Sequence, residues 1–255
     1  MQNLKISLIT VTKNAGKTLG RCIESIITQN YSNTEYIIID GGSTDNTAQI
    51  INSNNSHINF YISEPDKGIY AAMNKGIQIA TGDIIGMLNA DDFFASNDIL
   101  SCVAEAFNRQ NADVLYGNLE YINQNGAIIR NWRSGTYTPG AFNLGWMPPH
   151  PTFYCKSLLF KRLGLYDPQY GTAADYELML RFMHLNKLNV CYLNKAMVKM
   201  NIGGVSNKTY QNRIKAWRND FRAMRNNEVK FPLLCLILKP LRKITQFING
   251  LNNYY

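Results

Sequence analysis

Three short runs of apolar, largely β-branched residues constrain this chain most: residues 5–12 (KISLITVT), 36–40 (YIIID) and 83–88 (DIIGML). A strand with one wet face alternates apolar and polar residues. A run that is apolar throughout must be covered on both faces, as a strand inside a parallel sheet is. Residues 17–30 separate the first two runs, and Leu19, Cys22, Ile23, Ile26 and Ile27 fall there at helical spacing. A turn at Gly41-Gly42-Ser43 leads into a second helix near Thr44 and Asp45. A short strand at 59–62 and a helix at 70–80 follow. Strand–helix alternation with short connections predicts an α/β fold, a mostly parallel central sheet flanked by helices. Right-handed crossovers then gather the strand C-termini on one edge, where ligands of open α/β sheets bind. Thr10, Thr12, Asp40, Asp91 and Asp92 all belong to that edge.

Beyond residue 110 the pattern changes. Segments 113–121 and 127–132 flank a hairpin loop at 123–126. Residues 135–151 are rich in Gly and Pro and read as loop. Residues 175–185 read as helix, and 190–193 as a further strand. The apolar fraction, 45%, suits a folded core. The five cysteines show no metal-ligand spacing and read as buried thiols. No stretch reaches the roughly 20 apolar residues of a membrane span, and the apolar N-terminal stretch is too short for a signal peptide, so a cytoplasmic protein is expected. The net charge of +8 is localised. Residues 1–205 balance, whereas residues 206–255 carry ten Lys and Arg against Asp220 and Glu228.

Each polar motif has a bland reading beside a chemical one. Adjacent carboxylates after a buried strand, Asn89-Ala90-Asp91-Asp92, raise each other's pKa unless a cation compensates. Mg²⁺ or Mn²⁺ carrying phosphate oxygens would do so; the alternative is that Asp92 caps the next helix. Asp40 either supports the following turn or accepts a bond from a ligand, and Asp45 nearby makes it the less needed of the two for structure. Asp175 opens a helix, as a cap or as a general base, with Glu177 as a rival base. His150 stands in a Pro-rich loop, where functional side chains concentrate. Residues 14–18 end in Gly-Lys-Thr, yet Val11 occupies the position where a P-loop needs its first glycine. A GxGxxG sequence is absent after the first strand, which argues against a dinucleotide-binding domain.

Taken in order, segments 7–19 (SLITVTKNAGKTL), 36–47 (YIIIDGGSTDNT), 63–76 (SEPDKGIYAAMNKG), 82–92 (GDIIGMLNADD), 149–154 (PHPTFY), 173–181 (AADYELMLR) and 203–206 (GGVS) resemble the family 2 glycosyltransferases of the glycosyltransferase-A fold. The resemblance runs over residues 5–206. It implies single displacement with inversion from a nucleotide-sugar, probed first as a UDP-sugar. It implies a nucleotide site formed by Thr10, Thr12, Asp40, Asn89, Asp91 and the segment bearing Asp66, Lys67 and Asn74. Asp92, with Asp91, would hold Mg²⁺ or Mn²⁺, and Asp175 stands where the family places its base. Residues 1–205 would be the catalytic domain, with a donor half at 1–110 and an acceptor half at 111–205. Asn89 replaces the first Asp of a full DxD, Ala71 stands where relatives often carry Asp, and Ala174 where some carry Glu. No QxxRW-like motif of processive synthases is found. The alternatives are a nucleotidyltransferase that makes sugar nucleotides and a degenerate, non-catalytic nucleotide-binding protein.

In the tail, Tyr210, Ile214, Trp217, Phe221 and Met224 form one helical stripe beside Lys215, Arg218, Arg222 and Arg225. The stripe is expected to pack on the catalytic domain. The apolar-plus-basic segment 231–243 is expected to lie on an anionic membrane surface, at the inner face of the cytoplasmic membrane, near a glycan or lipid-linked acceptor. No motif for nucleic acid is present.

Overall fold

The computed structural model describes residues 2–201 and 210–251. The GGVS segment at 203–206, the tail boundary at 206 and the side chain of Tyr210 lie outside the described residues. The strands are β1 (Ile6–Thr12), β2 (Thr34–Asp40), β3 (Phe60–Ser63), β4 (Ile84–Met87), β5 (Asp92–Phe94), β6 (Val114–Ile122), β7 (Ile128–Trp132), β8 (Tyr154–Lys156) and β9 (Val190–Asn201). The helices are α1 (Leu19–Ile27), α2 (Thr47–Ser53), α3 (Ile69–Ile79), α4 (Ile99–Gln110), α5 (Ser157–Leu163), α6 (Ala174–Met179), α7 (Tyr210–Asn226) and α8 (Pro232–Leu251).

All the strands join one sheet in the order β3-β2-β1-β4-β8-β6-β9-β5, with β7 paired to the free stretch of β6. The first four are parallel, as their apolar runs require. The second half is mixed: β8 runs antiparallel to both β4 and β6, and β9 runs parallel to β6. Successive side chains of a strand point to opposite faces, and the core divides accordingly. Ile6, Leu8 and Ile38 pack with α1, α2 and α4, while Ile9, Val11, Ile37 and Ile39 pack with α3, α5 and α6. Each fully buried Ile or Leu contributes roughly 1.5–3 kcal/mol, so this double-sided burial dominates the stability of the donor half.

Some elements differ from the sequence reading. Asp92 opens strand β5 and caps no helix, because residues 92–94 find an antiparallel partner in β9. β9 extends to Asn201, well past 193; Asn194 and Lys195 interrupt its apolar pattern, but pairing with β6 and β5 carries it through. The tail stripe does not pack as a unit. Ile214 and Trp217 are exposed, and among the described side chains α7 buries Ala223 and Met224, with Asn227 buried just past its end. The cause is the turn at 168–173 beneath it, where Asn226 bonds the Tyr170 hydroxyl and Arg222 lies over the Tyr170 ring. α8 then lies along β7 and the turn at 141–144. Cys235 Sγ donates to the Asn143 carbonyl, Arg242 Nε to that of Leu144, and Arg130 Nε to Gln246. Gly145 permits this contact. It has a φ of +72°, and a Cβ there would sit 2.7 Å from the Lys239 backbone nitrogen. All five cysteines are free. Among the described residues no helix is long and apolar enough to cross a membrane.

Candidate active site

The acidic pair lies where β4 leaves the sheet. Leu88 N still bonds to Ile9 O of β1, and Asp92 N closes a turn onto Asn89 O at 3.0 Å. This turn exposes Asp91 and buries Asp92. Asp92 Oδ2 accepts only a long bond, 3.4 Å, from the Asn89 amide, and Asp92 Oδ1 has no partner. Burial, and then the charge of Asp91, push the Asp92 carboxyl well above the usual range; the Asn89 bond offsets this only in part. Asn89 Oδ1 and Thr12 Oγ1 are also buried without partners. An orphaned buried polar atom costs about 1–3 kcal/mol. Three of them on one sheet edge are therefore a standing cost at the place where a ligand is expected.

Asp175 faces the same space from the other half of the molecule. A cleft of about 550 Å³ is lined by Asn89 and Lys67 from the donor half and by His150 and Asp175 from the acceptor half, with Tyr70, Trp132 and Met147 among its walls. Gly171, with a φ of +51°, breaks the turn at 168–173 before α6 and also lines the cleft. Asp175 lies in the first turn of α6, and its Oδ1 accepts from Tyr176 N at 2.7 Å. Its neighbours are held neutral. The Tyr70 phenol is driven far up, first by burial and then by the charge of Asp175. His150 is pushed down by burial, against the pull of Asp175, and its Nε2 pairs with the Tyr166 hydroxyl at 2.7 Å. Among the described residues lining the cleft, Asp175 is the one carboxylate.

Other candidates fall elsewhere. Glu177 is no rival base: Arg181 grips it through two bonds, Nε to Oε1 at 3.0 Å and Nη2 to Oε2 at 2.8 Å, and it is buried. Asn74 is committed to structure, since its amide both donates to Tyr166 O and accepts from Tyr166 N, tying α3 to the loop before α6. Thr10 is fully buried under α1, where its hydroxyl accepts from Tyr36 and meets Cys22. Asp40 is needed for structure after all. It is fully buried and takes Ser43 N, Ser43 Oγ and Ser63 Oγ, three of the roughly four bonds that a carboxylate accepts. Asp66 pairs with Lys75 through Oδ1 and leaves Oδ2 buried without a partner, close to Gly41. Lys67 is exposed at the cleft. Sequence reasoning missed Tyr70, Tyr166 and Trp132; only Tyr70 lay inside a recognised segment, and nothing in spacing connects Tyr166 with His150.

Residues 7–165 match the sequence profile described as Glycosyl transferase family 2. The chain belongs to that family. It is 30% identical over 213 residues to a PGL/p-HBAD biosynthesis glycosyltransferase of Mycobacterium bovis, an alignment covering 79% of this chain and 78% of that one. Among solved structures, S. aureus TarS 1–349 in complex with UDP superposes with a TM-score of 0.69 at 18% identity, covering 99% of this chain and 75% of that one. The mannosyltransferase PcManGT from Pyrobaculum calidifontis, in complex with GDP-Man and Mn²⁺, gives 0.68 at 14% identity, covering 99% and 75%. Against a longer TarS chain, this one spans 40% of the length. The family 2 glycosyltransferase fold is thus of the glycosyltransferase-A type, a mixed sheet flanked by helices. The family profile ends at residue 165, before Asp175, α7 and α8.

Proposed function

We propose that this family 2 glycosyltransferase moves one sugar, with inversion, from a nucleoside-diphosphate donor onto a glycan or lipid-linked acceptor of cell-surface polysaccharide or lipopolysaccharide. The observation that carries the reading is the single cleft in which the Asn89 edge and Asp175 meet. Asp175, the lone carboxylate there, would take the proton of the acceptor hydroxyl as that oxygen bonds to the anomeric carbon. The bond to the diphosphate oxygen breaks in the same step, and its electron pair leaves with the nucleoside diphosphate. A retaining route through a covalent carboxylate intermediate would need a second carboxylate beside the base, and Asp175 is the one carboxylate among the described residues lining the cleft, which supports inversion.

Among the described residues no group of three or more His, Cys, Asp or Glu forms a cage for a metal. The donor set still suits Mg²⁺ or Mn²⁺, hard cations that are commonly held by one or two carboxylates and complete their shell with substrate phosphates. Asp92 and Asp91 would hold it, and the unpartnered oxygens of Asp92 and Asn89 support that fit. Bound there, the cation would supply charge for the departing diphosphate. Solved relatives holding UDP, UDP-GlcNAc, and GDP-Man with Mn²⁺ support the donor class. Leu233, Ile237, Leu241 and Ile244 form an outward apolar face on α8, which supports peripheral attachment to a membrane surface.

The test is a panel of UDP-, GDP- and dTDP-sugars incubated with Mn²⁺ or Mg²⁺. We expect donor turnover for a UDP-sugar and its loss in excess chelator. Undiminished turnover in chelator would remove the metal. Release of pyrophosphate from a nucleoside triphosphate would favour a nucleotidyltransferase instead.

A further inference from the structure

We infer that the chain carries a second binding site, an anion pocket that receives a phosphate group of the acceptor. The pocket lies between the end of β7 and α8 and encloses about 120 Å³, enough for a phosphate and its waters. Arg133, Lys239, Arg242 and Lys243 line it, and none of its described lining residues is acidic. Lys239 is partly answered, lying 2.9 Å from Asp220 and 3.6 Å from the centre of the Tyr176 ring. Arg133 and Lys243 form no ion pair among the described residues. Lys243 is exposed as a residue, yet desolvation and then the charges of Lys239 and Arg130 push its amine down. Like charges drawn around a concavity repel one another, and a bound anion turns that repulsion into attraction. Arg and Lys are also the side chains that recognise phosphate.

Position identifies which phosphate. The pocket and the catalytic cleft share Trp132 and Met147 as walls. In the proposed arrangement a ligand whose hydroxyl reaches Asp175 would extend along these two side chains to the basic pocket. The donor's own phosphates belong at the Asn89–Asp92 edge, among a different set of residues. The pocket thus reads the acceptor, an assignment that rests on the transferase reading of the cleft. The ligand class is a phosphate or diphosphate ester next to the sugar or alcohol that is glycosylated, whether carried on a lipid or on a soluble glycan.

The experiment uses the full-length protein in chelator and inorganic pyrophosphate as the probe, measured by calorimetry with and without saturating UDP. Wild type should bind pyrophosphate equally well in both conditions, and the Arg133→Gln/Lys243→Gln double variant should bind at least tenfold more weakly. Both residues are exposed, so the fold should tolerate the changes; Lys243→Gln alone, expected to weaken binding severalfold, serves if the double variant does not fold. Equal affinity in variant and wild type, or displacement of pyrophosphate by UDP, would overturn the site. UDP binding on the same preparations with Mn²⁺ in place of the chelator tests the transferase reading separately, since its absence in wild type would count against the donor site and leave the pyrophosphate result standing. A second arm uses phosphatidylcholine vesicles with and without a polyprenyl diphosphate. Selective binding to the diphosphate vesicles, lost in the double variant, assigns the phosphate to a lipid. Pyrophosphate binding without vesicle selectivity assigns it to a soluble acceptor.

Discussion

In the proposed reaction Asp92 would hold the cation and Asp175 would take the acceptor proton, and their environments predict different consequences for each. Asp92 is buried beside Asp91 with one oxygen unsatisfied. Its folded pKa lies above the unfolded one, so ionisation destabilises the fold as pH rises from the ordinary carboxylate range towards neutrality. Asp92→Asn should therefore stabilise the metal-free protein at pH 7, by about 1–3 kcal/mol, while abolishing transfer. A thermal melt that drops in the variant would contradict this. Asp175→Asn should leave UDP affinity within about twofold and lower the turnover rate by roughly 10²–10⁴-fold, the usual weight of a general base; a rate close to wild type would return the role to another group. Both aspartates were legible in the sequence, because strand-end and helix-start positions announce themselves. The fates of Thr10, Asn74 and Glu177 were not. Strand alternation points Thr10 under α1 only once α1 is known to cover that face, and Arg181 claims Glu177 through a three-dimensional contact that competes with any catalytic use.

At the scale of elements, long apolar runs and clean helical spacing were readable, whereas short or polar-interrupted strands were not. β5 and β8 are three residues each and exist because neighbours pair with them. β9 carries Asn194 and Lys195 in its middle and is held by two partners. The tail stripe misled because its spacing was helical while the surface it meets, the turn around Tyr170, selects another face of α7. α8 rests on a backbone contact that admits only glycine. Gly145→Ala places a methyl 2.7 Å from Lys239 N in a left-handed conformation, which we expect to cost about 1–3 kcal/mol and to loosen α8. Faster tryptic cleavage at Arg242 and Lys243 than in wild type would register the loosening; an unchanged rate would argue against it.

For the whole molecule, the two edges of the sheet have separate duties. The C-terminal edge holds unsatisfied oxygens, while at the N-terminal edge the buried Ser7 and Glu35 find partners. There Glu35, almost wholly buried, accepts from Ser7, Lys5 and Thr81 and ties β1 and β2 to the loop before β4. Burial alone would raise its pKa, but these bonds more than reverse it, to about 2. A depressed carboxylate stabilises the fold above its unfolded value of 4.5, and that stability is lost as pH falls towards about 2. We expect an acid limb worth on the order of 3 kcal/mol over that window, flattened in Glu35→Gln; denaturant melts at pH 5 and pH 3 would register about half of it, and identical limbs would refute the assignment.

Trp132 has one further consequence. It is the shared wall of the cleft and the basic pocket. Trp146 is buried with its Nε1 donating to Ser134 O and lines the basic pocket alone, and Trp217 stands out in solvent. The indole between the two cavities is thus the one whose surroundings change when either is filled. If the two proposed sites hold, the protein carries its own optical reporter, and a single emission spectrum would follow donor and acceptor arriving from two sides without a label.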